Sequence, residues 1–191
     1  KPLLALFSST IFLSAFLLFW VQLMVAKMIL PLLGGSPSVW NTCMFFFQTV
    51  LLLGYGYAHL TTRRWGVRRQ AAIHSGLIVL PLAFLPIAFD RIGFEFDPAN
   101  PIAGLLLLLL VAVGFPFLTI STSAPLVQKW FSDTDRPESS DPYFLYAASN
   151  LGSLCGVLSY PIAIEPNLSL TKQSILWAIA YAIWVVLSIS C

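Results

Sequence analysis

Charged and amide side chains are rare within the long apolar segments of this chain, so each one found there is a candidate for chemistry. Lys27 is the only charged residue well inside the first apolar segment, and Gln22 lies five residues before it. A charge in hydrocarbon is costly and commonly marks a binding site or an ion pair. Lys27 also lies near the end of its segment, where a long side chain can carry its ammonium group outward to water. The sequence therefore leaves two interpretations open for Lys27, a ligand or ion-pair role and an interfacial position.

Three further amide residues complete a candidate polar site with Gln22 and Lys27, namely Asn41, Gln48 and Asn150. Buried amides hydrogen-bond between helices or line a path for a polar solute. Asn150 is followed by Gly152 and Gly156, and small residues at this four-residue spacing let two helices approach closely. The glycine pair predicts a helix-packing seam, and the alternative interpretation is one wall of a substrate path.

Metal and catalytic chemistry find little support in the sequence. His59 and His74 flank a basic segment, and a histidine pair can bind a metal or haem. The simpler interpretation places both histidines at the polar ends of apolar segments, with water as their partner. The three cysteines are far apart and fit no metal-ligand spacing. Because the chain also lacks a phosphate loop and a nucleophile elbow, we predict no catalytic residue, no metal and no cofactor.

The composition identifies the surroundings of these residues. Hydrophobic residues make up 58% of the chain and charged residues 9%, against roughly 25% charged residues in a soluble domain. So few charges cannot cover a water-facing surface, and a lipid bilayer must surround much of the molecule. A spanning helix needs about 20 apolar residues, and six such helices use nearly the whole chain. We therefore predict an all-α integral membrane protein built as a six-helix bundle.

Proline, glycine and charged residues delimit the six predicted spans, which cover residues 3–33, 39–60, 70–89, 101–122, 142–164 and 170–191. Together they form a single transmembrane domain over residues 1–191. The chain begins without Met and ends inside an apolar run at Cys191. We therefore expect a fragment of a longer protein, with any soluble domain lying after Cys191.

Basic residues in the loops predict the orientation of the bundle. If the N-terminus is cytoplasmic, the outer loops hold only Arg91 and Lys172, whereas seven basic residues are inside: Lys1, Arg63, Arg64, Arg68, Arg69, Lys129 and Arg136. This bias predicts that both ends of the chain are cytoplasmic. The cluster Arg63, Arg64, Arg68 and Arg69 is a predicted cytoplasmic basic loop that contacts lipid headgroups. One short arginine cluster and a net charge of +2 argue against nucleic acid as a partner.

Three segments carry a resemblance to a known family: Val21–Gly35 (VQLMVAKMILPLLGG), Val39–Thr42 (VWNT) and Asp141–Ser153 (DPYFLYAASNLGS). Together they resemble the membrane region of bacterial fused major-facilitator/spermidine synthase proteins, and the similarity covers nearly the whole chain. The resemblance implies a bundle like half of a major-facilitator carrier in the bacterial inner membrane. It also implies a cytoplasmic spermidine-synthase-like domain, which is not contained in these 191 residues.

The segment Arg64–Arg69 (RWGVRR) also resembles a degenerate major-facilitator signature between the second and third spans, with one extra residue. Thr61 and Thr62 stand where the signature has an acidic residue. In carriers that acid belongs to a charge relay, so its loss argues against alternating-access transport. Six helices are also only half of a carrier, in which the substrate lies between two halves.

The sequence therefore favours a membrane module that anchors a spermidine-synthase-like domain or packs as a subunit of a larger membrane complex. Its expected partners are lipid and either other protein chains or a second copy. The alternative is a transporter half for a small solute, working as a dimer or with a second half, with the five polar candidates lining its path. A third hypothesis is polyamine synthesis by the full-length protein, an activity that this chain alone is expected to lack.

Overall fold

The computed structural model describes residues 2–89, 92–93, 96, 100–134 and 142–191. Lys1, Arg91, Arg136 and Asp141, which the sequence analysis used, lie outside these ranges. All regular structure within them is helical, which confirms the predicted all-α class. Five helical runs are long and apolar enough to cross a membrane by length and composition. These runs indicate a lipid bilayer environment.

The first helix, α1, spans Pro2–Leu33. It ends at Gly34, whose φ of +74° lies in the left-handed region that favours glycine at this position. The Gly34 N–H donates to the Leu30 carbonyl over 2.9 Å. The second helix, α2, spans Pro37–Val79. Ser36 caps its first turn by accepting a hydrogen bond from the Val39 N–H, and a 3₁₀ turn, Leu80–Ala83, follows its last residue.

The chain folds back on itself within α2, at Gly66. This residue has φ +71° and ψ 167°, a conformation almost restricted to glycine. Tyr57 and His74 are 17 residues apart, yet the Tyr57 hydroxyl lies 3.4 Å from Nδ1 of His74. A continuous helix would separate them by about 25 Å. The helix α2 therefore consists of two antiparallel segments, and the predicted loop between residues 60 and 70 is a tight turn with helical flanks.

The third helical run joins four elements: α3 (Pro101–Leu109), a π-helical turn (Leu110–Gly114), α4 (Phe115–Ser121) and α5 (Ser123–Ser132). The π-helical turn ends two residues before Pro116, which has no N–H to donate to the preceding helical turn. The run continues past residue 122, the predicted end of this span, because Leu126, Val127 and Trp130 are buried and hold α5 on the bundle.

The last part of the chain holds α6 (Tyr143–Ser159), a π-helical turn (Tyr160–Ile164), the short α7 (Glu165–Asn167) and α8 (Leu170–Ser190). The Ser169 side chain caps α8 by accepting from the Lys172 N–H. The aromatic residues Trp177, Tyr181 and Trp184 of α8 are all buried. They join residues of α1, α2 and α4 in the larger of two apolar clusters.

Helix α1 is central, and its most extensive contact is with α6. The glycine pair lies in this contact. A Cβ atom added at Gly152 would lie 2.3 Å from the Phe12 carbonyl oxygen, and one added at Gly156 would lie 2.8 Å from that of Phe16. Only residues without a side chain allow this approach. Helix α2 approaches α4 in a similar way, because a Cβ atom added at Gly54 would lie 2.0 Å from Ser121 Oγ.

We expect Gly152→Ala to destabilise the protein by about 1–3 kcal/mol, because the new methyl group meets the backbone of α1, which cannot move aside cheaply. Reversible unfolding in detergent micelles measures this change. The matched control is Gly76→Ala, where an added Cβ meets nothing within 4 Å. This control gains helix propensity of up to about 1 kcal/mol. Equal stability of the two variants would show that the α1–α6 seam is not close-packed.

Candidate functional site: an ion-paired cleft and an exposed amide face

Lys27 forms an ion pair with Glu165, the first residue of α7. Their side chains are 45% and 37% exposed, so the pair lies at the surface of the bundle. It is the one ion pair among the residues described. Lys27 is thus ion-paired and also lies at the surface, as each of its two interpretations predicts in part.

The ion pair borders a cleft of about 540 Å³ between α1, the start of α2 and the end of α6. Trp40 forms one wall, and Tyr160 lies against the cleft with only 4% of its surface exposed. The Tyr160 hydroxyl is itself buried, with the Gln173 side chain nearby, and it makes no hydrogen bond of normal geometry within the described part of the chain. The cleft therefore combines two opposite charges with an aromatic wall.

Gln22 lines a second, smaller cavity of about 240 Å³. This cavity shares five residues with the ion-paired cleft: Leu23, Ala26, Trp40, Cys43 and Val157. The Gln22 amide donates to the Leu18 carbonyl of its own helix over 3.1 Å. The structure thus brings Gln22 and Lys27 to adjoining cavities, although their side chains point to different neighbours.

The other three amide candidates lie on the surface of the bundle. Asn41, Gln48 and Asn150 are exposed, and none of them hydrogen-bonds another described residue. Asn41, Gln48 and the exposed Tyr55 recur every seven residues, a spacing that keeps them along one stripe of α2. Asn150 lies seven residues before Val157, which lines the ion-paired cleft. We call these exposed residues, the stripe of Asn41, Gln48 and Tyr55 on α2 together with Asn150 on α6, the amide face.

Several polar side chains inside the bundle form hydrogen bonds with one another, whereas five buried polar atoms have no partner among the described residues: Trp20 Nε1, Gln70 Nε2, the Tyr160 hydroxyl, Gln173 Oε1 and Ser188 Oγ. His74 is 2% exposed, and its Nε2 lies 3.1 Å from Thr122 Oγ1. Trp130 Nε1 donates to Oε1 of the buried Gln70 over 2.8 Å. The burial of His74 differs from its predicted interfacial position. The turn at Gly66 is so tight that His74 already lies about 12 Å along the returning helix.

Hydroxyl groups of α4 and α5 form hydrogen bonds with aromatic side chains at the centre of the bundle. Thr119 Oγ1 lies 2.8 Å from the Tyr181 hydroxyl, which donates to the Ile78 carbonyl over 2.9 Å. Trp184 Nε1 donates to Ser123 Oγ over 3.2 Å. The Thr119 hydroxyl also lies 2.8 Å from the Pro116 carbonyl. These hydrogen bonds tie α2, α4, α5 and α8 together through side chains that are all buried.

The basic residues after Thr62 lie at the turn of α2. Arg63, Arg64, Arg68 and Arg69 are all exposed. Arg63 lines a third cleft of about 550 Å³ together with His59 and Lys129. His59 is exposed, unlike His74. No group of three or more His, Cys, Asp or Glu side chains that could hold a metal occurs within the described ranges.

Sequence reasoning did not single out Glu165 or Gln70. Glu165 precedes Pro166 and was interpreted as part of a turn. A usable signal existed, because Lys27 and Glu165 both lie near the C-terminal ends of odd-numbered predicted spans, which place them on the same side of the bundle. No comparable signal pointed to Gln70, which lies within the basic segment in sequence and is buried by the turn.

The chain matches no protein-family model, no curated protein and no solved structure. The resemblance to fused major-facilitator/spermidine synthase proteins therefore stays a prediction, together with the activities that it implies.

We expect His74→Leu to lower the free energy of unfolding by about 1–2 kcal/mol, because it leaves the buried hydroxyl of Thr122 without its side-chain partner. The matched control is His59→Leu, at an exposed position of the same helix, with an expected change within about 0.5 kcal/mol. Thermal unfolding in detergent compares the two variants. A loss at His59 as large as at His74 would contradict the buried hydrogen-bonded position of His74.

Proposed function

We propose that this chain is a membrane module that assembles with another protein chain or domain through its amide face. The observation that carries this proposal is the exposure of Asn41, Gln48 and Asn150 on apolar helices, without partners among the described residues. An amide facing lipid leaves its donors and acceptors unsatisfied at a cost of several kcal/mol. A protein partner that supplies hydrogen bonds removes this cost, as amides do between membrane helices.

The pairing of the interior supports an assembly role over a conduit within this chain. The buried hydrogen bonds of Tyr181, Trp184 and His74 join neighbouring helices at the centre of the bundle. The cavities that hold Lys27, Gln22 and Arg63 all lie at the surface of the bundle. In this proposal the module anchors a cytoplasmic domain, which the family resemblance suggests is spermidine-synthase-like, or it is a subunit of a larger complex.

The proposal includes six crossings of the bacterial inner membrane with both ends cytoplasmic. The fold-back of α2 at Gly66 supports six crossings, because it divides one long helical run into two antiparallel segments. The cluster of exposed arginines around that turn supports a cytoplasmic position for it.

We expect single cysteines at Arg64 and Asp133 to be labelled by a membrane-impermeant thiol reagent only from the cytoplasmic side. Cysteines at Ser38 and Thr171, at the opposite ends of the helices, should be labelled only from the outer side. The background has Cys43, Cys155 and Cys191 replaced by serine, and inside-out and right-side-out vesicles provide the two exposures. Labelling of positions 38 and 64 from the same side would exclude six crossings.

A transporter half is the second candidate function. It is favoured by the arrangement of the amide face, which runs from near the ion-paired cleft toward the basic end of α2. A second half packed against this face would turn it into a polar path with Gln22, Lys27, Asn41, Gln48 and Asn150 near it. The lack of an acidic residue beside the arginine turn counts against this candidate.

A cysteine at Gln48 distinguishes the two candidates without knowledge of a substrate. In an assembly subunit it should crosslink to a partner chain in native membranes and stay unlabelled by impermeant thiol reagents, because the partner excludes water. In a transporter half it should be labelled in the absence of crosslinker. The matched control is Val186→Cys on α8. The Val186 side chain is 65% exposed on an apolar surface. Equal behaviour of positions 48 and 186 would contradict both candidates.

A further inference from the structure

The ion-paired cleft is the most complete ligand-sized site among the described residues. Its volume of about 540 Å³ lies within the range of small-molecule sites, about 300–1,000 Å³. Gly34 and Gly35 form part of its rim without side chains, which leaves the mouth open. Its charged groups are Lys27 and Glu165, whereas the remaining walls are mostly apolar.

The ion pair leaves much of its hydrogen-bonding capacity unused. A lysine ammonium group has three donors and a carboxylate has about four acceptor sites. Lys27 donates one hydrogen bond, to Glu165, among the described residues. A ligand that carries both charges can therefore join the pair without breaking it. Its anionic group would accept from Lys27, and its cationic group would donate to Glu165.

The shape of the site requires that part of the ligand be apolar. The adjoining cavity continues the cleft along α1 from Ala26 to Phe19, and Met44 and Phe47 of α2 line it as well. From Lys27 to Phe19 this path measures about 12 Å along the helix. A ligand that fills both cavities therefore has a zwitterionic head and an apolar chain.

The position of the site favours a membrane lipid over a soluble solute as this ligand. Lys27 and Glu165 lie near the ends of membrane-length helices, at the level where lipid headgroups meet hydrocarbon. Trp40, at the start of α2, is half exposed beside the pair, as expected for an aromatic residue in the headgroup region. Pockets between membrane helices with a basic rim bind lipid headgroups.

We propose that the cleft between α1, α2 and α6 binds one zwitterionic phospholipid of the phosphatidylethanolamine type. The phosphate accepts from Lys27, the primary ammonium group donates to Glu165, and one acyl chain occupies the cavity lined by Phe19, Leu23 and Met44. This site does not depend on the proposed assembly role.

The headgroup chemistry predicts a definite order of preference. A phosphatidylcholine headgroup has no N–H to donate to Glu165. A phosphatidylglycerol headgroup has no cation and brings its negative charge close to Glu165. The phosphatidylethanolamine headgroup alone among the three satisfies both members of the ion pair.

Native mass spectrometry of the delipidated protein, incubated with equal amounts of the three lipids in detergent, tests this preference. We expect phosphatidylethanolamine to be retained about fivefold over phosphatidylglycerol, since one charge contact at a headgroup contributes about 1 kcal/mol. Glu165→Gln should reduce the preference over phosphatidylcholine, because a neutral amide oxygen accepts a weaker hydrogen bond than a carboxylate does. Lys27→Met should weaken binding of phosphatidylethanolamine about fivefold, whereas Lys27→Arg should retain it.

The matched control is Lys172→Met, which removes an exposed cation from the first turn of α8, outside the cleft. It should leave lipid retention unchanged. Unfolding temperatures of all variants separate lost binding from lost structure, and Lys27→Arg with Glu165→Gln decides the question if Lys27→Met does not fold. Equal retention of the three lipids by the wild-type protein, or variants that behave like Lys172→Met, would overturn the proposal.

Free glycerophosphoethanolamine, which has the headgroup without acyl chains, separates a lipid from a soluble zwitterion. We expect it not to displace phosphatidylethanolamine at equal concentration, because the apolar cavity contributes to binding. Displacement at equal concentration would overturn the lipid assignment and identify the cleft as a site for a soluble zwitterionic solute.

Discussion

The close approach of α6 to α1 at two glycines is the contact on which the arrangement of the site depends. Gly152 and Gly156 place the α6 backbone against the carbonyl groups of Phe12 and Phe16. From the first contact to the second, the residue number rises by four on both helices. The two helices therefore run parallel in a fixed register. The same register brings Lys27, near the end of α1, beside Glu165, just after α6. A side chain at either glycine would separate the helices and with them the two charges.

A membrane interior penalises every unpaired polar group, and the bundle meets this constraint in two different ways. Inside, the polar side chains of α2 pair with neighbours on α4 and α5, as His74 does with Thr122 and Gln70 with Trp130. On the surface, Gln48 and Asn150 have no such neighbours among the described residues. In the proposed assembly, a partner chain or domain supplies hydrogen bonds to these exposed amides.

The first segment of α2 links the three surfaces that carry the functional proposals. Trp40 near its start forms a wall of the ion-paired cleft, Gln48 lies on the amide face, and His59 lines the basic cleft. A protein partner on the amide face would border both clefts. A lipid bound beside Trp40 would then lie at the edge of that interface, where its headgroup can stabilise both components.

The sequence by itself determined the apolar surroundings, because a chain with 9% charged residues cannot cover a water-facing surface. It also determined the all-helical class, because apolar runs of about 20 residues satisfy their backbone hydrogen bonds in lipid as helices. It also marked Lys27, since a lone charge is visible in an apolar run, and it indicated that Gly152 and Gly156 form a packing seam. The tertiary structure alone decided that α1 is the partner of this seam, that Glu165 neutralises Lys27 and that His74 is buried. These three features depend on contacts between residues far apart in the chain, and the periodicity of one helix carries no information about which other helix lies beside it.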